Sequence, residues 1–198
     1  MRLRLLPALA LLGLAACVDM TGISGVSTKT PHPASAPQAA VTVMEYADVQ
    51  CPACKAAHER IVKPLLASHG SKMRYEFRNF PLSSIHRYAS AAAQAAECAA
   101  DQKKFWEFLD LAYEEQEKLN DQQLRTWAED LALDADLFDR CLRSRAKKPI
   151  VTAEYDEGRT LGVSGTPSFF VNGQRVESDL KALQTAIDGA LGAMKQRL

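Results

Sequence analysis

Cys51 and Cys54 are the residues of this chain whose types and spacing are best suited to chemistry. They lie in the run Cys51-Pro52-Ala53-Cys54, between a short apolar segment and a segment with helical periodicity. A cysteine at a helix N-terminus faces unpaired N–H groups and the positive end of the helix dipole, which favour the thiolate. Such settings lower a cysteine pKa from about 8.5 to roughly 3.5–7.5, and the thiolate is the form that exchanges disulfides. Zinc sites use the same spacing, so the pair predicts either a redox centre or part of a metal site.

The N-terminal residues predict that the chain is exported. Residues 1–16 combine a positively charged start with an apolar run from Leu5 to Ala16. That run is too short to span a bilayer and is typical of a signal peptide. Its end, Leu14-Ala15-Ala16-Cys17, resembles the lipobox of bacterial lipoproteins, in which Cys17 would carry the lipid. The alternative is an ordinary signal peptide followed by a chance cysteine.

The cysteines that remain after export can form two pairs. Exported proteins enter an oxidising compartment, where disulfides persist. With Cys17 assigned to lipid, four cysteines are left, and sequence alone allows three connectivities. Local spacing favours a Cys51–Cys54 pair, which leaves Cys98 and Cys141 as the second pair. Two buried free thiols at Cys98 and Cys141 are the alternative.

Composition narrows the class of protein. The chain has 24 Lys and Arg residues in total and 24 Asp and Glu residues, so no excess of basic charge points to nucleic acid. Residues 17–40 are rich in Ser, Thr, Gly, Pro and Ala and are interpreted as a flexible tether, in which His32 is expected to be solvated. About 160 residues follow, enough for one domain with a sizeable core. Because no second long apolar run occurs, membrane attachment is predicted to depend on Cys17 alone.

Hydrophobic periodicity predicts the elements that must position the cysteine pair. Residues 84–161 have helical periodicity, with Asp121 and Asp134 as expected helix caps. Asn172-Gly173 is typical of a type I′ hairpin turn. The predicted elements are a strand over Val41–Ala47, a helix over Ala53–Ser68 kinked at Pro64, a half-buried strand over Met73–Phe80, the helical block, a hairpin of Ser168–Val171 and Gln174–Val176, and a last helix from Asp179.

The whole region from Val41 to the end resembles the DsbA-like branch of the thioredoxin superfamily. A CxxC pair followed at this distance by Gly-Thr-Pro-Ser-Phe-Phe-Val-Asn-Gly is a specific combination. The resemblance implies an α/β fold in which residues 41–83 and 162–198 form a thioredoxin-like mixed sheet and residues 84–161 form an inserted helical domain. The segments that carry it are Glu45–Cys54, Arg78–Leu82, Phe105-Trp106 and Gly162–Gly173.

The resemblance also implies roles for individual residues. Cys51 would be the exposed nucleophile, and the buried Cys54 would resolve its mixed disulfides. Thr166 and Pro167 match the family's cis-proline site, where Thr166 would bind an extended client segment through its backbone. Glu45 shares a strand face with apolar residues and matches a buried acid that passes protons to or from Cys54; the alternative is a strand-end acid that reaches solvent.

Two further residues of the motif are expected to tune its redox potential. Pro52 and Ala53 lie between the cysteines. Ala53 departs from the family's strongest oxidases, which have a histidine there, so the resemblance implies a less acidic Cys51 and a less oxidising disulfide. Related proteins sometimes carry a second disulfide in the helical region, which agrees with a Cys98–Cys141 pair.

Together these patterns predict a lipid-anchored thiol–disulfide oxidoreductase of the periplasm. It would act as a monomeric dithiol oxidase on exported client proteins, with an unidentified redox partner, no cofactor and no metal. Val18, rather than Asp, follows Cys17, which favours the outer membrane over the inner membrane by resemblance to lipoprotein sorting signals. Thr166 before the proline also suits a reductase or isomerase. A protein of another class, a copper- or zinc-binding lipoprotein, could use Cys51, Cys54 and His58, although an exposed helix histidine is the simpler interpretation of His58.

Overall fold

The computed structural model describes His32 and residues 35–196. The predicted leader, residues 1–16, and the predicted lipidation site Cys17 lie outside the described residues. The predictions for that part of the chain therefore stay predictions.

A four-stranded mixed sheet forms the centre of the fold, in the order β2-β1-β3-β4. β1 pairs parallel with β2 and antiparallel with β3, and β3 pairs antiparallel with β4. The predicted thioredoxin-like α/β fold with a helical insertion is confirmed. The strands are β1 (Val41–Ala47), β2 (Met73–Asn79), β3 (Ser168–Val171) and β4 (Gln174–Val176).

Eight α-helices surround the sheet in the described part of the chain. The first two flank a π-helical turn, His58–Val62, and five lie between β2 and β3 in sequence, in the predicted helical block. They are α1 (Pro52–Ala57), α2 (Lys63–His69), α3 (Ala89–Ala100), α4 (Phe105–Glu114), α5 (Asp121–Asp130), α6 (Ala135–Ser144), α7 (Lys148–Thr160) and α8 (Leu180–Lys195).

Pro64 explains the irregularity between α1 and α2. In an α-helix its ring would collide with the carbonyl of Arg60, and it has no N–H to donate. The chain widens into a π-helical turn just before it, where the N–H of Lys63 donates to the carbonyl of His58. The predicted single helix is therefore one continuous helical segment with a π-helical turn, and Cys51 and Cys54 lie at its N-terminal end.

Cap and turn residues fix where several elements begin. The side chain of Asp134 accepts a hydrogen bond from the N–H of Leu137 and caps α6, as predicted. The predicted cap at Asp121 is wrong by one residue, because Asn120 accepts the hydrogen bonds at the start of α5. Asn172 and Gly173 have φ values of 47° and 80°, which are the two positive values that a type I′ turn requires.

β2 is covered on both faces, which differs from the predicted half-buried strand. Glu76, expected on a solvated face, is buried and forms ion pairs with Arg74 and Arg78. The reason is α7, which packs against β2 and brings Glu154 to within 3.7 Å of Arg78. An alternating pattern of polar residues can thus be buried when each charge has a partner.

His32 is not a solvated linker residue, and that prediction is wrong. Its ring stacks on Phe105 with the ring centroids 3.9 Å apart. Its Nε2 lies 2.9 Å from Oε2 of Glu97, a buried side chain of α3. Three residues later, the hydroxyl of Ser35 accepts from the N–H of Tyr75 and donates to the carbonyl of Met73, both at 2.8 Å. The described part of this segment is therefore attached to the fold.

The helical insertion and the cysteine pair share one core. Buried apolar side chains run without interruption from Cys51 and Cys54 to Trp127 of α5. Within this insertion, Cys98 of α3 and Cys141 of α6 are joined by a disulfide, with the sulfur atoms 2.06 Å apart. The disulfide connects two helices that also pack against each other.

Replacing Gly158 by alanine is expected to destabilise the fold. A Cβ atom there would lie 2.8 Å from Phe80 and 2.9 Å from Tyr46, and both of those rings are buried. Overpacking of this kind costs about 1–3 kcal/mol, against a gain in helix propensity of about 1 kcal/mol. Urea denaturation measures the change, with Gly189→Ala of α8 as the control, because nothing lies within 4 Å of a Cβ atom at Gly189. A Gly158→Ala variant as stable as Gly189→Ala would contradict the packing described here.

Candidate active site

Cys51 lies at the N-cap of α1, with Pro52 as the first helical residue. Its extended backbone, with φ −77° and ψ 121°, turns the side chain toward the first N–H groups of the helix. Its carbonyl accepts hydrogen bonds from the N–H groups of Cys54 and Lys55 at 3.0 and 3.1 Å. The predicted helix start at the CxxC pair is therefore present, and the motif is held by the helix itself.

Cys51 is predicted to be an exposed nucleophile, but most of it is buried. Only 7% of the residue is exposed, because the loop before β3 covers it. The Sγ atom lies 3.6 Å from the carbonyl oxygen of Thr166 in that loop. Pro52 and Ala53, between the two cysteines, are both exposed. Any reagent that attacks Cys51 must therefore approach past Pro52, Ala53 and the Thr166 loop.

The surroundings of Cys51 stabilise its thiolate. The hydrogen bond from the Cys54 thiol is the main cause, aided by Thr166 and by the backbone N–H groups of Ala53 and Cys54. Partial burial acts in the opposite direction, and the balance lowers the pKa of Cys51 to about 5. At neutral pH the side chain is therefore a thiolate, the form that attacks disulfides.

Cys54 is the chemical opposite of Cys51. It is completely buried, and burial, the hydrogen bond to Cys51 and the charge of Glu45 together raise its pKa well above the ordinary cysteine value. The N–H of Asp48 lies 3.5 Å from its sulfur atom. One thiol is thus ionised and retains slight exposure, while the other is protonated and fully enclosed.

Thr166 and Pro167 are joined by a cis peptide bond beside Cys51. A cis bond before proline is uncommon in folded proteins. Pro167 also lines a groove of about 290 Å³ that runs along the first helix next to the cysteine pair. The groove is mostly apolar and is formed by Ala53, Ala56, Ala57, Arg60, Ile61, Pro167 and Ser178.

Glu45 is placed in the interior and does not reach solvent. The Tyr75 hydroxyl donates a hydrogen bond of 2.5 Å to its Oε2, and Oε1 has no partner among the described residues. Burial raises the pKa of Glu45 to about 7, against the opposing effects of Tyr75 and His58. A carboxyl group with this pKa can both accept and donate a proton near neutral pH.

His58 is neither exposed nor arranged with the cysteines as a ligand set. It is only 3% exposed, because α4 packs over the π-helical turn, and its Nε2 lies 2.6 Å from Oδ1 of Asp110. The expectation of an exposed helix histidine is therefore wrong. Within residues 35–196 and His32, no three or more His, Cys, Asp or Glu side chains are grouped in a way that could hold a metal ion.

Asp48 has a larger structural role than the sequence indicated. It is buried and accepts hydrogen bonds from the N–H groups of Gln50 and Leu82. Nδ1 of His86 lies 2.7 Å from its Oδ2. Asp48 thus ties the loop before Cys51 to the loop after β2. The local sequence signal for this role is an Asp three residues before Cys51, in a position typical of a turn.

Titration of the reduced protein is expected to show a thiolate transition with a midpoint near pH 5, the pKa of Cys51. Because this value lies below the ordinary cysteine pKa, the thiolate stabilises the folded dithiol form at neutral and alkaline pH, and the contribution is lost as the pH falls through 5. The free energy of unfolding of the reduced protein should therefore fall, as the pH is lowered from about 8.5 to 5, more than that of the oxidised protein, in which Cys51 does not titrate. Glu45 is present in both forms and largely cancels in this comparison.

Thiolate absorbance at 240 nm measures the transition directly. The Cys51→Ser variant is the control and should lack the transition. A midpoint near the unperturbed cysteine value of about 8.5 would contradict the electrostatics described for Cys51.

Solved structures share this fold over most of the chain. A thioredoxin-like oxidoreductase from Silicibacter pomeroyi DSS-3 is 26% identical, with a TM-score of 0.69, and the match covers 79% of this chain and 89% of that one. The thiol-disulfide exchange protein alpha-DsbA2 from Wolbachia pipientis is 23% identical, with a TM-score of 0.71, over 81% of this chain and 87% of that one.

Curated relatives match the same region but are much longer. The Na(+)/H(+) antiporter NhaA 3 of Salinispora tropica is 41% identical over 162 residues, which are 81% of this chain and 24% of that protein. The chain thus spans about a quarter of the length of the curated relatives that it matches first. No described helix of this chain is both long enough and apolar enough to cross a membrane.

The family assignment follows from the match that covers the fold and the site together. The thioredoxin family profile matches residues 27–189, which include Cys51, Cys54, Thr166 and Pro167. The chain therefore belongs to the thioredoxin family.

Proposed function

We propose that this protein oxidises the thiols of exported proteins through Cys51 and Cys54. The observation that carries the proposal is the opposite ionisation of the two thiols beside the cis Thr166–Pro167 bond: the pKa of Cys51 is lowered to about 5, and that of Cys54 is raised. This asymmetry gives one thiol that attacks and leaves readily and one that is protected from outside reagents.

In the oxidising direction, a client thiolate attacks Cys51 of the Cys51–Cys54 disulfide. The bond between the two cysteines breaks, Cys54 leaves with the electron pair, and a proton converts it to the thiol. A second client thiolate then attacks the client sulfur of the mixed disulfide, and Cys51 leaves as a thiolate. Two electrons pass from the client to the enzyme, and a redox partner must remove them before the next cycle.

The acidity of Cys51 supports this direction. A stable Cys51 thiolate favours the dithiol form over the disulfide, which makes the disulfide a stronger oxidant. Ala53 lies between the cysteines and brings no positive charge, so the oxidising power should remain below that of family members with a histidine there.

The surface around the cysteines supports an extended client segment. The apolar groove along the first helix ends at Pro167 and provides a site for client side chains next to Cys51. The cis bond shapes the adjacent loop, from which Thr166 can offer backbone hydrogen bonds. Binding of this kind depends on the client backbone more than on its sequence, as an enzyme with many clients requires.

The remaining parts of the proposal come from the sequence. Residues 1–16 would direct export, Cys17 would carry lipid, and residues 17–40 would lead to the folded region in the periplasm, attached to the outer membrane. Residues 41–83 and 162–198 would be the thioredoxin-like domain of a monomer, with 84–161 as its insertion. The alternative within the class is a reductase or isomerase.

Equilibration of the protein with glutathione tests the direction of exchange. The oxidase proposal predicts a reduction potential above about −200 mV, with oxidative refolding of a reduced, unfolded substrate protein. A potential near that of thioredoxin, about −270 mV, would overturn the oxidase proposal in favour of a reductase. Stoichiometric binding of copper or zinc without disulfide exchange would overturn both.

A further inference from the structure

Cys54 exchanges a proton in each reaction, yet the acidic and hydroxyl groups described above are buried with it. Cys54 gains a proton each time the disulfide opens and loses one each time it forms. Both Cys54 and Glu45 are buried, and the Tyr75 hydroxyl that hydrogen-bonds to Glu45 is buried as well. Another group must therefore carry the proton between this interior cluster and solvent.

His58 lies in the right place to do so. It follows Cys54 by one helical turn, and its backbone N–H donates to the Cys54 carbonyl. Its imidazole is buried, but its Nε2 lies 2.6 Å from Oδ1 of Asp110, whose side chain is 51% exposed. The pair thus extends from the interior beside Cys54 to the surface of α4.

The ring of His58 also has a buried aromatic neighbour. Its ring contacts that of Tyr113 at a centroid distance of 4.9 Å, and the Tyr113 hydroxyl is buried without a partner among the described residues. Oε1 of Glu45 is likewise buried and unpaired in this part of the chain. The charge of His58 acts on Glu45 and lowers its pKa, so the two groups interact.

The other charged group near the pair is Lys63. Its Nζ lies 3.9 Å from Oδ1 of Asp110 and 2.6 Å from Oε1 of Glu59. The hydrogen bond to His58 lowers the pKa of Asp110, which is therefore a carboxylate at neutral pH and can stabilise a protonated imidazole. The groups in contact with His58 are thus Asp110 and Tyr113, with Lys63 beyond Asp110.

We propose that His58 and Asp110 form a proton-exchange pair that connects the buried Glu45 to solvent during exchange at Cys54. When Cys54 leaves the disulfide as a thiolate, Glu45 gives it a proton and becomes a carboxylate. His58 returns a proton to Glu45 and takes another from solvent at the surface, where Asp110 stabilises the imidazolium. Disulfide formation runs the same transfers in reverse. This inference rests on the proposed function, and His58 and Asp110 are positioning residues rather than groups that touch the client.

Rapid mixing of the reduced protein with oxidised glutathione tests the pair. The full-length chain is used, with Cys17→Ser in every variant, so that reactive thiols report Cys51 and Cys54. Acid quenching and mass spectrometry give two rate constants: formation of the glutathione adduct at Cys51, and its conversion to the Cys51–Cys54 disulfide. Both are measured from about pH 5 to pH 9.

His58→Gln and Asp110→Asn are each expected to slow the conversion step about tenfold at neutral pH and to flatten its pH dependence. Formation of the adduct should stay within about twofold, because Cys51 does not need the pair to ionise. His69→Gln is the matched control and should leave both steps unchanged. His69 is another buried histidine of the same helical segment, with Nε2 3.6 Å from Asp188 at the end distant from Cys54.

Three outcomes would overturn the inference in distinguishable ways. Unchanged conversion in both variants would show that the proton takes another route. An equal fall in both steps would show that His58 and Asp110 serve packing only. Asp110→Asn is used because Asn can still hydrogen-bond to His58, so the variant removes the charge and keeps the contact. Absence of both the adduct and the Cys51–Cys54 disulfide after mixing the otherwise unmutated protein with oxidised glutathione would overturn the proposed function and, with it, this inference.

Discussion

Replacing Cys51 by serine is expected to abolish disulfide exchange, with a fall in rate of about three orders of magnitude or more. A serine hydroxyl does not ionise near neutral pH, whereas the pKa of Cys51 is lowered to about 5. Cys54 cannot substitute for it, because Cys54 is completely buried and its pKa is raised. Reduction of oxidised glutathione and oxidation of a reduced substrate protein are the two measurements.

Replacing Cys54 by serine should have a different result. Cys51 would still attack a disulfide, but the adduct would persist, because the residue that resolves it is absent. Non-reducing electrophoresis and mass spectrometry should therefore detect stable mixed disulfides at Cys51 in Cys54→Ser. Equal residual exchange in the two variants would contradict the division of roles between the two cysteines.

Removing the Cys98–Cys141 disulfide is expected to lower the free energy of unfolding by about 4 kcal/mol. The disulfide closes a loop with a sequence separation of 43 residues. It lowers the conformational entropy of the unfolded chain, and for a loop of this length the effect on the free energy of unfolding is about 4 kcal/mol. The change corresponds to a fall in Tm of roughly 8–16 °C for a domain of this size. Urea denaturation of Cys98→Ala/Cys141→Ala measures it.

The control uses reductant in a background without the reactive pair. In Cys51→Ser/Cys54→Ser, reduction of Cys98–Cys141 should lower stability to the level of the double alanine variant, and reductant should have no effect once the disulfide is removed. A loss below about 1 kcal/mol would contradict a stabilising role for this disulfide.

Elements defined by neighbouring residues could be predicted from the sequence. The Asn172-Gly173 turn, the Asp134 cap and the helix start at Cys51 each depend on contacts within a few residues, and the structure has all three. The first strand, Val41–Ala47, was also predicted with its observed bounds, because a short apolar run next to a turn has few alternatives.

Side-chain environments created by distant segments could not be predicted. Asp110 lies 52 residues from His58, and Glu97 lies 65 residues from His32, so no local pattern connects either pair. For the same reason Cys51 is more buried than expected, since Thr166 covers it from 115 residues away. Periodicity predicts which face of an element is apolar, but not which charged residue another element will place there.

Ser35 has a consequence for the exposed edge of the sheet. β2 is the outermost strand on its side of the sheet, and an unpaired strand edge is a template on which another extended chain can add. The Ser35 hydroxyl occupies the backbone N–H of Tyr75 and the carbonyl of Met73, two groups that such a chain would need. Another extended chain therefore cannot use these two groups for strand addition. Ser35 thus lowers the tendency of this part of the edge to aggregate.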